Sequence, residues 1–401
     1  MNKTIGDRIR ELREFRDVTQ DELAQRADVS VDTVRKLEQN QRRSARIDTL
    51  RALARALDVQ LERLVGQPTV TRELSDDGGL LALRDAIQDV GALPGVLVDE
   101  DLEDPPGETE WTASVKAATS MYWEGGYSAL SGVLPLLLRD GRAVARETPT
   151  EKVWRQLALV YQLAASLATQ AGHPDWAYSA VEKQLDAAAR ASDPLMAGMG
   201  VSTLSWVLLR QGRWEQAQAV AERKADELEP SFRRATPKQL AVYGNLLVAA
   251  ATPAARQGQR DDAMEMLTVA EAAATRSGPV RAYGSAFSVV DVRTQQVNIA
   301  LAGRDPEPAE ALRLSRRVDT DEITRPVHSA AHRVDVAQAQ HQTGDREGAL
   351  ETLLRVEEDQ PEWIRFQVLA LTTVRELWEA ERRRSTPLRG LATRLGIEPS
   401  L

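Results

Sequence analysis

The chain has 401 residues, 42% hydrophobic and 28% charged, with no cysteine and a formal net charge of −9. That length exceeds one ordinary core, and the absence of thiols excludes disulfides, thiolate nucleophiles and cysteine-based zinc sites together. No run approaches the roughly 18 apolar residues a membrane helix needs, and the charged N-terminus lacks a signal-peptide core, so no membrane association and a cytoplasmic location are expected.

The average charge conceals a sorting along the chain. Residues 1–66 hold 14 Lys/Arg against 12 Asp/Glu, net +2, and Arg35–Arg46 alone carries five positive groups and one negative, net +4. Residues 73–110 hold 12 acidic groups and only Arg84, net −11, whereas residues 111–401 are nearly neutral with 35 basic and 36 acidic groups. A basic cluster near one end is thus followed by an acidic stretch, and nucleic-acid binding responds to that local field rather than to the mean.

Five short helices are expected in residues 1–66. Ile5, Ile9 and Leu12 share one face of the first. Thr19 with Glu22 three residues on forms a capping box for the second, Gln20–Ala27. Asp28-Val29 makes a short turn, and Ser30 caps the third, Val31–Gln39, with Val34 and Leu37 inward. Leu50, Leu53, Ala54 and Leu57 form the stripe of the fourth, and Leu61 and Leu64 belong to a fifth. Helix, short turn and helix, the second with exposed polar side chains, is a geometry that fits the DNA major groove.

The string TQDELAQRADVSVDTVRKLEQNQRRSARIDTLRALARALDV resembles the phage repressor and Cro-like (XRE-type) helix-turn-helix regulators over about 60 residues. The resemblance implies that Gln20 touches phosphate and buttresses the recognition helix, and that Ser30 and Thr33 contact the DNA backbone. It places Val31, Asp32, Arg35 and Lys36 on the surface facing base edges. Guanidinium and ammonium groups can reach G O6/N7, Asp32 can accept from cytosine N4, and Val31 can pack on a thymine methyl. Arg42, Arg43 and Arg46 would meet phosphates, which position the domain without reading sequence. Asn40 stands where the family commonly has glycine, and asparagine also tolerates the left-handed conformation that ends a helix.

Residues 67–110 read as an acidic connector punctuated by Pro68, Gly78-Gly79, Pro94-Gly95 and Pro105-Pro106-Gly107, with one helix at Leu80–Val90. The segment Asp99–Glu110 is expected to be an acidic loop, either a solvated linker or a competitor with phosphate for Arg42, Arg43 and Arg46.

From residue 111 a motif recurs. Glycines 125, 172, 212, 258, 303 and 344 are 47, 40, 46, 45 and 41 residues apart. Alanine follows five residues after the glycine in RQGRWEQA, RQGQRDDA, QAGHPDWA and QTGDREGA, and after six in LAGRDPEPA, at Ala309. Seven residues before the glycines stand Ala118, Ala165, Ser205, Ala251, Gln296 and Ala337. Glycine ends the first helix of a hairpin, and small residues at fixed positions let its two helices approach closely. The pattern resembles the tetratricopeptide repeat with longer, irregular spacing, and about six pairs are expected, capped by Trp363–Arg384 and Pro387–Leu395. The whole chain is therefore expected to be all-α: a five-helix helix-turn-helix domain followed by a superhelical stack of helix pairs over residues 111–401.

That resemblance implies a concave face lined by first helices. Its register places Gln162, Trp206, Asn245, Arg293, Gln338 and His341 there as effector-binding candidates, beside Ser166, Met199, Ser202, Val248, Val290 and Val334. An amide pairs with both N–H and C=O of an extended peptide, and Arg293 would hold a carboxylate.

No phosphate-cradling glycine loop or nucleophile elbow occurs, and His328, His332 and Asp335, though on one helical face, lack the glutamate of a metalloprotease motif. No enzyme activity, metal or cofactor is expected. The arrangement resembles bacterial quorum-sensing regulators whose helix-turn-helix head precedes repeats that read a secreted oligopeptide. It implies a homodimer that binds double-stranded DNA and a peptide or small-molecule effector. The competing expectation is a DNA-tethered adaptor whose repeats hold a protein partner. A closed groove would favour the first and a broad open surface the second.

Overall fold

The computed structural model describes residues 4–16, 18–41, 45, 47–59, 61, 64, 79–89, 106–303, 305–380 and 385–397. Among the described residues the molecule is all-α apart from one small hairpin. The N-terminal head contains α1 (Ile5–Phe15), α2 (Gln20–Ala27), α3 (Val31–Glu38) and α4 (Ile47–Ala56). Thr4 with Asp7 and Thr19 with Glu22 close capping boxes at α1 and α2, and the Ser30 hydroxyl accepts from the Thr33 N–H at the start of α3. Asn40 takes the left-handed conformation expected of it, φ 56°. The expected fifth helix lies largely outside the described residues, although Leu64 is buried with Ile9, Leu23, Leu37 and Leu50 in the head core. At Gly6 a Cβ would stand 1.9 Å from the Leu37 carbonyl oxygen, so glycine there lets α1 lie directly on α3.

The helix expected inside the connector is α5 (Gly79–Ile87). It is not part of a solvated linker: Leu80, Leu83 and Ile87 are fully buried in the core of the repeat stack. The acidic run Asp99–Asp104 falls outside the described residues.

Six helix pairs follow: α6 (Glu108–Glu124) with α7 (Tyr127–Glu147), α8 (Glu151–Gln170) with α9 (Pro174–Arg190), and α10 (Pro194–Arg210) with α11 (Trp214–Glu227). Next come α12 (Pro237–Arg256) with α13 (Arg260–Ser277), α14 (Val289–Ala300) with α15 (Pro308–Ser315), and α16 (Pro326–Gln342) with α17 (Arg346–Asp359). Every turn glycine, from Gly125 to Gly344, has φ between 77° and 94°, a conformation that penalises a side chain. The small residues sit at the contact inside each pair. Ala165, Ala251 and Ala337 on the first helices, and Ala177, Ala217, Ala263 and Ala349 on the second, are fully buried. Ser205 fits the same slot, its hydroxyl donating to the carbonyls of Ala217 and Ala249.

The fifth pair corrects the sequence reading. Ala309 is exposed, and the buried alanine is Ala311. Second helices place this residue fourth from their start, and α15 begins only at Pro308 because its connection is longer.

Two 3-10 turns, Thr320–Glu322 and Trp363–Phe366, and the helices α18 (Val368–Ala380) and α19 (Thr386–Arg394) complete the chain. They do more than cap the stack. Phe366 meets Tyr127 edge-on with ring centroids 5.6 Å apart, and Gln367 Nε2 donates to Gln170 Oε1 at 3.2 Å. Val327 and Trp363 lie against Gly125. The last pair therefore packs on the first, and the superhelix closes on itself around a central space.

A hairpin crosses that space. Strands β1 (Val280–Ala282) and β2 (Ser285–Phe287) pair antiparallel with Ala282 opposite Ser285. Tyr283 and Gly284 between them have φ of 52° and 71°, the two positive values a two-residue type I′ turn requires. At its root Phe287 fills the space over Gly244, where a Cβ would come within 2.0 Å of the ring. At its tip Gly284 reaches Leu159 and Gln162 of α8, and Tyr283 packs beside Met196 of α10.

His332 on α16 is 4% exposed and makes no hydrogen bond through Nδ1. Burial, with the nearby Arg333 cation, pushes its pKa down from 6.5 to about 4. The fold holds the ring neutral, so its contribution to stability is complete above pH 6.5 and is lost as pH falls towards 4. The predicted cost at full protonation is about 3 kcal/mol. His332→Leu should flatten the acid limb of a denaturant-melt series by that order, and an unchanged limb would refute the assignment.

Candidate nucleic-acid interface and central cavity

The outer face of α3 is polar and exposed. Asp32, Arg35 and Lys36 point to solvent, and Val31 is half-buried against the head core. Lys36 pairs with Asp32 one turn back at 2.7 Å, so each offers its remaining hydrogen-bonding capacity outward. Ser30 and Thr33 are joined at the N-terminus of α3 by a 2.8 Å hydroxyl contact. Arg42, Arg43 and Arg46 lie outside the described residues.

Behind this face sits a charge that sequence reasoning did not single out. Glu38 is 1% exposed, and its two carboxylate oxygens accept from Arg13 Nε at 2.7 Å and Nη2 at 3.0 Å. Gln20 Nε2 donates to the same carboxylate at 2.7 Å, and Arg10 donates to the Glu38 carbonyl. Arg13 is held charged chiefly by its hydrogen bonds to Glu38, which raise its pKa. This fork ties α1, α2 and α3 together, and it gives Gln20 a buttressing contact with α3. The available clue was a glutamate on the inward, Val34–Leu37 side of an amphipathic helix.

The space at the centre of the closed stack is a cavity of about 520 Å³. All six first helices contribute to its wall, as do Gly284 and Ser285 of the hairpin. Gln162, Trp206 and Asn245 are among the lining residues, with Ser166, Met199, Ser202, Val248 and Val334. The amides are partly used already. Gln162 Oε1 accepts from Gln184 at 3.1 Å, and Asn245 Nδ2 donates to Ala241 of its own helix at 2.9 Å.

Three expected effector contacts are elsewhere. Arg293 Nε donates to Glu271 on α13 at 3.0 Å, because α14 presents Gln295 and Asn298 inward instead. Gln338 is 1% exposed and accepts from Thr373 of α18, and His341 stands 3.5 Å from Glu376 of the same helix. The inner face at the end of α16 is covered by α18, a packing no repeat register foretells. Val290 likewise packs into the core between α14 and α15.

What the cavity gains in their place is charge. Among the described residues, Arg51, Arg55, Arg210, Arg256 and Arg325 line it against one carboxylate, Asp335. Burial pushes the Asp335 carboxyl up to about 7, although Asn298 Nδ2 donates to it at 3.0 Å and the Arg51 and Arg256 cations favour ionisation. His328 is held neutral, its pKa pushed down to about 4 by burial and by Arg325. Among the described residues no group of three His, Asp or Glu side chains is placed to hold a metal ion. None of the helices described is long and apolar enough to cross a membrane.

Arg51 and Arg55 belong to the head, whose Ala54, Val59 and Leu61 complete the same wall. The Arg55 guanidinium lies 5.0 Å over the Trp214 ring and 3.4 Å from Glu215, at the start of α11. Val368 at the start of α18 inserts into the head core. Arg375 faces Arg8 across this junction, and burial together with that repulsion pushes it down to about 10.

Comparison with known proteins agrees with the head as built. Residues 9–64 match the helix-turn-helix family model, so the N-terminal unit is a helix-turn-helix domain, a DNA-binding fold. No curated protein matches the chain. Among solved structures, the Bacillus thuringiensis PlcR complex with the peptide PapR7 and DNA is similar over 89% of this chain and 99% of that one, at 11% identity and a TM-score of 0.37. The P58(IPK) TPR domain is similar over 91% of this chain and 90% of that one, at 15% identity and a TM-score of 0.24.

Glu38→Ala should remove the bidentate partner of Arg13, which keeps only the Val18 carbonyl and the more exposed Glu14, and cost roughly 1–3 kcal/mol in the head. The expected result is an early melting transition and loss of duplex binding, although Glu38 does not face DNA. Wild-type melting and binding in this variant would show that the fork is dispensable.

Proposed function

We propose that the chain is a sequence-specific DNA-binding transcriptional regulator whose repeat domain senses an effector, a peptide or small molecule, and thereby controls operator binding. One observation carries this reading: residues of the DNA-binding head form part of the wall of the sensor's cavity. A ligand shifts an equilibrium only by its differential affinity for the two states. A molecule in this cavity touches the head directly, so docked and undocked heads bind it differently without a relay. The concave site at the centre of the stack favours an effector over the protein partner of an adaptor, which would need a broad outer surface.

On the DNA side, Arg35 and Lys36 read base edges with Asp32 and Val31, while Ser30, Thr33, Arg42, Arg43 and Arg46 meet the backbone. Gln20 supports α3 and contacts phosphate. One head offers few base contacts, so the protein acts as a homodimer on an inverted repeat. Half-sites would stand about 34 Å apart, or a multiple of that distance. Footprinting on a duplex selected from a random pool should show two-fold symmetry, and Arg35→Ala should relax preference at one base pair per half-site by roughly 1–3 kcal/mol. A footprint of one unpaired half-site, or one untouched by Arg35→Ala, contradicts these assignments.

The polar contacts that hold the docked head are weak, beside the apolar insertion of Val368 into its core. An exposed cation–π contact and an exposed ion pair each contribute no more than about 1 kcal/mol, and Arg8 opposes Arg375. Trp214→Ala removes one of these contacts far from α3. It should change affinity for the selected duplex several-fold without changing base preference. Identical affinity in wild type and variant would remove docking from the mechanism.

A further inference from the structure

The cavity's own chemistry narrows what it can hold. Among the described residues five arginines and one carboxylate line it, and the most enclosed of the arginines is Arg325, 7% exposed, at the N-terminus of α16. Arg325 Nη2 contacts His328 Nδ1 at 2.7 Å. That ring is neutral, so Nδ1 accepts through its lone pair and supplies no countercharge. Asp291 stands 3.7 Å from the same Nδ1 and steadies the Arg325 charge at a distance, without forming an ion pair with it. Arg325 Nε has no hydrogen-bond partner. A guanidinium on a cavity wall, buried and short of one hydrogen-bond acceptor, suits an anionic oxygen ligand at its remaining N–H groups.

Size is limited by the hairpin. Its tip reaches α8 and α10 from the connection between α13 and α14, and its Gly284 and Ser285 form part of the cavity wall. The remaining 520 Å³ lies within the roughly 300–1,000 Å³ range of small-ligand sites. Trp206, Met199 and Val248 supply an apolar wall.

We propose that the central cavity is the receptor site for a compact organic anion whose acid group, carboxylate or phosphate, is bound by the Arg325 guanidinium. This rests on the effector-sensing reading above and names the class of effector.

The test uses the full chain, with calorimetry and thermal shift against three matched pairs. They are citrate and its trimethyl ester, a hexose phosphate and the free hexose, and an apolar tripeptide with free or amidated C-terminus. At least one acid should bind and raise the melting temperature while its neutral partner does not, and the responding pair tells carboxylate from phosphate. Arg325→Gln should weaken that acid by about tenfold to a hundredfold, the value of lost charge-assisted hydrogen bonds. Arg325→Lys, which keeps the charge, should lose less, and the exposed Arg313→Gln should lose nothing. Melting of each unliganded variant reports whether it folds. The proposal is overturned if no acid binds the wild type, if acid and neutral forms bind alike, or if Arg325→Gln and Arg325→Lys both bind as wild type does. Affinity for the selected duplex is measured on the same samples. An acid that binds through Arg325 without altering that affinity refutes the regulatory reading and leaves the anion site standing.

Discussion

How closely the two helices of each pair approach sets everything built from them. An alanine on each partner, Ala165 with Ala177 or Ala251 with Ala263, leaves backbone nearly against backbone, and a larger side chain there would force the pair apart. The approach fixes the rotation from one pair to the next. Five such rotations across six pairs carry α16 round to α6 and bring Phe366 onto Tyr127. The cavity is a product of that closure, and no residue of it would face a common space in a straighter stack.

The head follows a different logic. Its apolar core is small, and the element that must be aimed, α3, is only eight residues long. Orientation comes from a buried carboxylate whose acceptors are taken by two other helices, an arrangement that tolerates neither partner's removal. The same head uses Arg51 and Arg55 on α4 towards the repeats, leaving the exposed side of α3 unobstructed. The exposed polar face and the cavity-facing surface are thus on different helices of the head.

The parts of this architecture legible in the sequence were those governed by local rules. Capping residues Thr19 and Ser30, the left-handed Asn40, the turn glycines and the small residues seven positions before them each act within a few residues of chain. Contacts decided by the closing of the stack were not legible. Gln338 and His341 occupy the inward register, but α18 reaches them from more than 25 residues downstream. Arg293 turned instead to Glu271 on α13, a contact between neighbouring pairs that the spacing of the turn glycines does not encode. Arg325 precedes Pro326 at a helix start and carries no periodic signal, so its burial is visible only in three dimensions. The hairpin's strands are three residues each, too short for alternation to register, and only the Tyr283-Gly284 pair between them hinted at a turn.

Closure also changes how the repeat domain comes apart. A linear array of helix pairs has two ends, and each terminal pair, lacking one neighbour, opens first and lets unfolding travel inward. Here Gly125, Tyr127 and Gln170 on the first pairs are covered by Val327, Phe366 and Gln367 from the last. No pair is terminal in the energetic sense, and opening any one breaks contacts on both sides of it. The domain is thereby a single cooperative unit in which amide exchange from the central helices and from the outermost ones should share one opening free energy.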